Sequence, residues 1–345
     1  MGADRVPDFT VVTTSNRITL AEVARTAGVS SASASMALNG RPGVSAVTRR
    51  KVSAAARALG YGRQGRGAGL VGVLPTDLRN PYHTDVIAGI EGYLDSIGMN
   101  VVIMHGRRDG DHLRHGLRRL SDLGVDGIIA VTSWLDPRDI EEAAQAVPVV
   151  VIGRMQDPVP GADHLLNNDE AGAALAVDHL VDLGHRRIAH VTWSNRPGPA
   201  IRRAGFLVRM EQLGLGGSAR VIGPEDTDDG IDVLLRAIGR GDPDAESAVF
   251  AANDIAAVRV LHRAAELGVR VPEDLSVVGY DSSAVALTVR PHLTSVNQPR
   301  EAMGRLAGQM VRERLEGRTH ASVSRLEPQL RVRESTGPPR GVRRT

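Results

Sequence analysis

The chain has 345 residues, 42% of them apolar, enough to bury two or three cores, and it has no cysteine, so neither disulfides nor thiolate metal sites contribute. Its formal net charge of +2 conceals a gradient: residues 1–66 carry ten Lys or Arg against three acids, which leaves thirty-two against thirty-seven in the remainder. A basic head on a mildly acidic body suits a polyanion-binding module joined to something else, and no apolar run approaches the length of a membrane span.

Residues 1–17 lack periodicity and read as a disordered arm. They also lack the basic-then-apolar order of a secretory signal, so a cytoplasmic protein is expected. Residues 18–61 carry three helical patterns. Leu20, Val23, Ala24 and Ala27 fall at i, i+3, i+4 and i+7, after which Gly28 permits a sharp turn. Ser30 is placed to cap a second helix whose buried side is expected at Ala34, Ala37 and Leu38, leaving Ser31, Ala32, Ser33, Ser35 and Met36 exposed. The third helix starts near Ser45 and carries Val47, Val52, Ala55, Ala56 and Leu59, with Arg49, Arg50, Lys51 and Arg57 around its outer side. The arrangement is a helix-turn-helix. Hydroxyls at Ser30, Ser33 and Ser35 suit phosphates, cations of the third helix meet further phosphates, and Ser31, Ala32 and Met36 face base edges. None of those three offers a bidentate hydrogen bond, so modest base discrimination is expected, with phosphates and DNA shape supplying the rest.

Thr19-Leu20-Ala21-Glu22-Val23-Ala24, Ala27-Gly28-Val29-Ser30, Leu38-Asn39-Gly40, Val44-Ser45, Thr48-Arg49 and Leu59-Gly60-Tyr61, in this order and spacing, resemble the headpiece of the lactose-repressor family. The resemblance implies a homodimeric repressor whose two heads bind half-sites of a near-palindromic operator in double-stranded DNA. With it the DNA-contact set becomes Thr19, Leu20, Ser30, Ser31, Ala32, Ser33, Ser35, Met36, Asn39, Ser45, Thr48, Arg49 and Tyr61. Residues 62–69 hold Gly62, Gly65, Gly67 and Gly69 and form a linker. They precede a strand where a phosphate-binding loop would follow one, which rejects a nucleotide reading. Relatives are similar in having a longer segment with a hinge helix there. This one is short and glycine-rich, so Arg63 and Arg66 are expected to touch phosphates without forming that helix, and coupling through the linker is expected to be weak.

From Leu70 short apolar runs alternate with helical patterns. Strands are expected at 70–74, 101–104, 127–131, 147–152, 187–191, 219–222, 248–251 and 275–279, with helices at 85–97, 112–123, 171–183, 201–213, 231–238 and 255–267. The stretch 70–105 echoes 187–222, so the fold class expected is an all-α helix-turn-helix headpiece plus a two-lobed α/β core of parallel sheets over 70–331, with a ligand cleft between the lobes and a basic tail at 332–345.

Asp77 with Asn80-Pro81-Tyr82, Asn168-Asp169-Glu170-Ala171-Gly172, Leu183-Gly184-His185-Arg186-Arg187, Asn253-Asp254, Val271-Pro272-Glu273-Asp274-Leu275 and Pro291-His292-Leu293-Thr294-Ser295-Val296 resemble the periplasmic-binding-protein-like core of the same family. The resemblance implies effector contacts at Asp169, Arg202, Asn253 and Asp281, suited to a hydroxyl-rich or amide-bearing small molecule. His83 follows Tyr82 and Arg300 stands where sugar-binding relatives often carry an aromatic, so both join the expected effector set, and an Arg300 in the cleft would favour an anionic ligand. A sugar-stacking platform could draw only on Tyr82, Trp134 or Trp193. No cofactor is implied, and His112 with His115 reads as a solvated helix face rather than a metal site. The competing classes are a transporter's solute-binding protein, disfavoured by the basic head, and a sugar-modifying enzyme, disfavoured by the absence of a Walker loop, nucleophile elbow or HExxH.

Overall fold

The computed structural model describes residues 19–38, 43–59 and 69–340, except for the side chains of Ala46, Arg50, Ser53, Arg57 and Ala58. The expectations for Asn39, Tyr61, Arg63 and Arg66, and for the arm and most of the linker, lie outside the described residues. The chain divides into two compact units, 1–68 and 69–345.

The first unit holds α1 (Leu20–Ala27), α2 (Ser31–Leu38) and α3 (Ala46–Leu59). Thr19 and Glu22 form a capping box: the Thr19 hydroxyl accepts from the Glu22 amide at 3.3 Å and the Glu22 carboxylate accepts from the Thr19 amide at 2.6 Å. Gly28 ends α1 at φ 67°, a left-handed conformation that glycine adopts without strain. Ser30 caps α2, its hydroxyl accepting from the Ser33 amide at 3.1 Å, and Ser45 does the same for Thr48 at 3.1 Å. Val23, Ala24, Ala34, Ala37, Val52, Ala55 and Ala56 are the buried centre. Leu38 and Val47 depart from expectation at 37% and 55% exposed. Leu38 is the last residue of α2 and Val47 lies in the first turn of α3. Ser33, Ser35 and Met36, expected to be fully exposed, are half-buried.

The second unit consists of two lobes. The amino-terminal lobe is built from β1 (Leu70–Pro75), α4 (Pro81–Ser96), β2 (Asn100–Ile103), α5 (Gly110–Leu123), β3 (Gly127–Val131), α6 (Pro137–Ala144), β4 (Val149–Ile152) and β5 (Asp163–Asn167). The chain then crosses into α7 (Asp169–Asp182), β6 (Ile188–Val191), α8 (Pro197–Gln212), β7 (Ala219–Ile222), α9 (Thr227–Gly239), β8 (Ala248–Ala251), α10 (Asp254–Glu266), β9 (Ser276–Asp281), α11 (Val285–Thr288) and β10 (Thr294–Asn297). It returns to the first lobe for α12 (Arg300–Leu315) and β11 (Val323–Leu326), and crosses once more to β12 (Gln329–Arg331). The sheet orders β11-β5-β4-β3-β1-β2 and β12-β10-β9-β8-β6-β7 are the same winding twice. Every pairing is parallel except β10 with β12. Three crossings join the lobes, and the first is bonded to the third where Asn168 donates to both carboxylate oxygens of Glu327 at 2.9 and 3.0 Å.

Parallel sheets need cover on both faces, and here α4 with α12 cover one face of the first sheet and α5 with α6 the other. In the second lobe α7 and α8 lie on one face, α9 and α10 on the other. α12 was not among the expected helices, nor were α6 and α11, nor the strands β5, β10, β11 and β12. α4 and α12 approach closely because both lack side chains at the crossing: a Cβ on Gly89 would strike the backbone of Glu301, and one on Gly304 the backbone of Val86.

The expected basic tail is instead part of the second lobe as far as Arg340. Ser335 is fully buried, its carbonyl accepting from the Val277 amide at 2.8 Å and its hydroxyl donating to the Val277 carbonyl at 2.6 Å. Backbone hydrogen bonding beside β9 outweighs the basic composition of this stretch. Among the described residues no helix is long and apolar enough to cross a membrane.

Candidate functional site

Open parallel sheets present their ligand loops beyond the carboxyl ends of the strands. Here those ends of both sheets line one cavity of about 590 Å³. The first lobe contributes loops after β1, β3 and β4, and the second contributes loops after β6 and β8 together with the end of β9.

Arg202, on α8, is the centre of the second lobe's wall. Its Nε donates to Asp169 Oδ1 at 2.8 Å and its Nη1 to the Ala252 carbonyl at 2.7 Å, with Asp281 Oδ1 3.7 Å away. Its guanidinium also lies 3.7 Å over the centre of the Tyr280 ring. Arg202, Asp169 and Asp281 are only 8%, 5% and 7% exposed, so this charge cluster is desolvated. Asp281 further accepts from Gln298 Nε2 at 2.5 Å. Burial, reinforced by the carboxylate of Asp254, pushes the Asp281 carboxyl up to about 7 in spite of Arg202 and Arg300. Asp281 and Ser282 hold φ of 104° and 49°, a left-handed path that costs a non-glycine residue on the order of 1 kcal/mol or more and recurs where structure is held for function.

Asn253 lines the cavity while its Oδ1 caps α10 by accepting from the Ala256 amide at 2.8 Å, which leaves its amide nitrogen for a ligand. From the other lobe Tyr82 reaches the same cluster: burial, then Asp281 and Asp169, keep its hydroxyl protonated well above the ordinary range. His83 lines the cavity beside it, pushed down to about 4 by burial and hence neutral, with a buried Nδ1 that has no partner. Six of the seven expected effector residues therefore share one cavity. Arg300 does not, which corrects the expectation. It is drawn out of the cleft between Asp85 on α4, at 2.8 Å, and the Ser282 carbonyl, at 2.8 Å, bracing one lobe against the other.

The two tryptophans line the cavity with their faces already engaged. The Arg196 guanidinium lies 3.5 Å over Trp134 and that of Arg259 5.0 Å from Trp193. Sequence reasoning missed Asp254, Gln298 and Arg196. Asp254 is buried and accepts from the Ser283 amide at 2.7 Å, the Ser283 hydroxyl at 2.9 Å and the Ser295 hydroxyl at 2.5 Å. Its place directly after Asn253 at a helix start was a signal for Asp254. Nothing in the sequence marked the other two.

In the first unit Thr19, Ser30, Ser31, Ala32 and Ser45 are exposed, while Leu20, Ser33, Ser35, Met36, Thr48 and Arg49 are half-buried. The Ser30 and Ser33 hydroxyls lie 2.9 Å apart, as do those of Ser45 and Thr48, so each helix start presents a pair of polarised hydroxyls.

Residues 19–64 match the model of bacterial regulatory proteins of the lacI family, and residues 177–336 that of the periplasmic binding protein-like domain. The chain is 36% identical to the transcriptional regulator MalR of Streptomyces coelicolor over 94% of its own length and 98% of that protein's. It belongs to the LacI family. Among solved structures, this LacI-family chain aligns with the CelR–cellobiose complex at 30% identity, TM-score 0.66, over 92% of itself and 100% of that chain. It aligns with the lac repressor dimer bound to operator and an anti-inducer at 27% identity, TM-score 0.67, over 93% and 100%. The LacI-family chain is thus a DNA-binding transcriptional regulator, and its headpiece weighs against the solute-binding alternative.

Proposed function

We propose that the protein is a homodimer that binds a near-palindromic operator through residues 18–61 and responds to a small-molecule effector, a sugar or related metabolite, held between its lobes. The observation that carries the effector reading is the buried Asp169–Arg202–Asp281 cluster, crossed by Tyr82 from the opposite lobe, at one cavity. Such a cluster offers fixed donors and acceptors to a polyhydroxyl ligand with little ordering left to do. The lac repressor dimer on operator and the CelR–cellobiose complex support the dimer, DNA and sugar parts of the reading. Asn253 and His83 complete the effector set; Thr19, Leu20, Ser30, Ser31, Ala32, Ser33, Ser35, Met36, Ser45, Thr48 and Arg49 form the DNA face, to which Asn39, Tyr61, Arg63 and Arg66 belong by sequence.

The protein acts by binding alone. An effector that prefers one arrangement of the lobes shifts DNA affinity by the difference of its affinities for the two states. Fluorescence anisotropy with labelled duplex DNA tests this. Wild type is expected to bind duplex at low salt, to lose affinity steeply as salt rises, and to change affinity with a ligand found by thermal shift. Deleting residues 1–66 is expected to abolish DNA binding, and Arg202→Ala to abolish the ligand response. A protein with no duplex affinity at low ionic strength would refute the reading.

A further inference from the structure

Three features stand apart from the Arg202 cluster: the buried Asp254–Ser283–Ser295 cluster, the unpartnered His190 in the second core, and the charges at the mouth of the cleft. The first two are closed to solvent, whereas the mouth is open and carries an imbalance.

Resting on the effector reading above, we propose that the effector is anionic, a phosphorylated or carboxylated sugar-like molecule, whose charged group is held at the cleft mouth by Arg196 and Arg259 while its hydroxyls meet the Arg202 cluster inside. Six arginines line the cavity, against Asp77, Asp169 and Asp281. Arg202 is matched by Asp169 and Asp281, and Arg154 by Glu170, at 2.8 Å. Arg79 and Arg108 share the single carboxylate of Asp77, at 3.2 and 4.0 Å. Arg196 and Arg259 have no carboxylate partner among the described residues, although both are exposed on the cavity wall. The mouth is therefore cationic.

The tryptophans sharpen this. A neutral sugar ring binds proteins well by lying flat on an aromatic face, yet here a guanidinium already lies on Trp134 and another close to Trp193. Stacking leaves the edge of a guanidinium free, and that edge presents N–H donors in the fork that fits two oxygens of a phosphate or carboxylate. Trp193 is itself oriented by its Nε1 donating to Asp228 at 3.3 Å. The rings thus act as supports that aim two forks, rather than as a sugar platform. Arg300 plays no part, being bonded away from the cavity.

Full-length protein is tested by calorimetry and thermal shift against glucose, maltose, cellobiose and ribose and against glucose 6-phosphate, ribose 5-phosphate, glucuronate and gluconate, with duplex-DNA anisotropy in parallel. At least one anionic compound is expected to bind at least tenfold more tightly than its neutral counterpart, and Arg196→Gln/Arg259→Gln to remove that advantage. Arg118→Gln/Arg119→Gln takes the same charge from exposed positions on α5 and is expected to keep affinity within about twofold. Response to phosphate esters alone, or to carboxylates alone, identifies the group. A neutral sugar that binds more tightly than any anion, equal loss in both double variants, or no binding by any anion at millimolar concentration overturns the proposal. A neutral sugar that alters DNA binding would leave the regulator reading standing, whereas loss of duplex binding itself would remove that reading as well.

Discussion

The second lobe meets the cleft with Arg202, Asp169 and Asp281 buried and cross-bonded, whereas the first meets it with Arg79 and Arg108, whose side chains are 77% and 64% exposed. Both lobes wind their sheets in the same order, so topology does not make this difference. It comes from the loops: α8 drives an arginine back toward Asp169 and the end of β9, while Asp77 at the end of the first lobe's β1 region faces cations that remain in water. In the proposed reading one wall is prearranged and the other adapts, so a ligand docks on the second lobe and the first closes over it.

That contrast is broken most directly at Arg202. Arg202→Ala leaves Asp169 and Asp281 buried without their counter-charge, and uncompensated buried charge costs about 3–5 kcal/mol. Urea unfolding is expected to show a loss of that size, against less than about 1 kcal/mol for Arg79→Ala, whose partner Asp77 keeps Arg108 nearby. Similar losses at the two positions would dissolve the distinction between the walls.

The next effect is set by pH. His190 on β6 lies between Phe206 and Phe250, and burial pushes it down to about 3, aided by the charges of Arg203 and Arg202. The unfolded imidazole takes a proton near pH 6.5, so folding stability is full above that pH and falls as pH drops toward 3, by a few kcal/mol at this size of shift. Removing the ring by His190→Leu is expected to flatten much of that slope in urea titrations between pH 7 and 4. His83, pushed down to about 4 in the first lobe, contributes in the same direction by less, and an H83L slope flatter than that of H190L would reverse the ranking.

How far these features were legible in sequence divides along the same line. Strands β1, β3, β4, β6, β8 and β9 are apolar runs and could be read directly, whereas Asp169, Arg202, Asn253 and Asp281 were marked by the resemblance to the family's core, Arg202 itself lying inside α8 rather than at a strand end. β5 was hidden because its buried Asp163 and His164 are polar: Asp163 is held by Arg318 at 2.9 and 2.8 Å, and His164 accepts from the Val159 amide at 2.8 Å. α12 was legible and overlooked, since Met303, Ala307, Met310 and Val311 follow helical spacing. Arg300 was misplaced for a different reason. Only the fold brings Asp85, 215 residues away, within reach of its guanidinium. Arg196 and Trp134 likewise meet only across the lobes.

The crossing of α4 and α12 tests the first lobe by itself. A methyl group at Gly304 meets the Val86 carbonyl and the backbone around Gly89, which cannot yield as a flexible side chain would, so Gly304→Ala should cost roughly 1–3 kcal/mol. Gly92, on the partner helix α4, has open space beside it, and Gly92→Ala is expected to be neutral or slightly stabilising. Thermal melts of the pair separate helix crowding from the general cost of changing a glycine.

The smallest expected effect reports on the cleft from outside. Arg154, after β4, forks onto Glu170 at the start of α7 at 3.2 and 2.8 Å, so the pair spans the two lobes. Its side chains are 22% and 46% exposed, and a pair so wetted is worth about 0.2–1 kcal/mol. A double-mutant cycle of Arg154→Ala and Glu170→Ala, read by effector affinity and by unfolding, distinguishes two roles. If the bridge forms only when the lobes are together, the coupling appears in affinity and is near zero in unfolding of the unliganded protein. Equal coupling in both measurements would mean that the lobes are held together before any ligand arrives, and the closing motion assigned to the first lobe would then have to lie elsewhere than at this edge of the cleft.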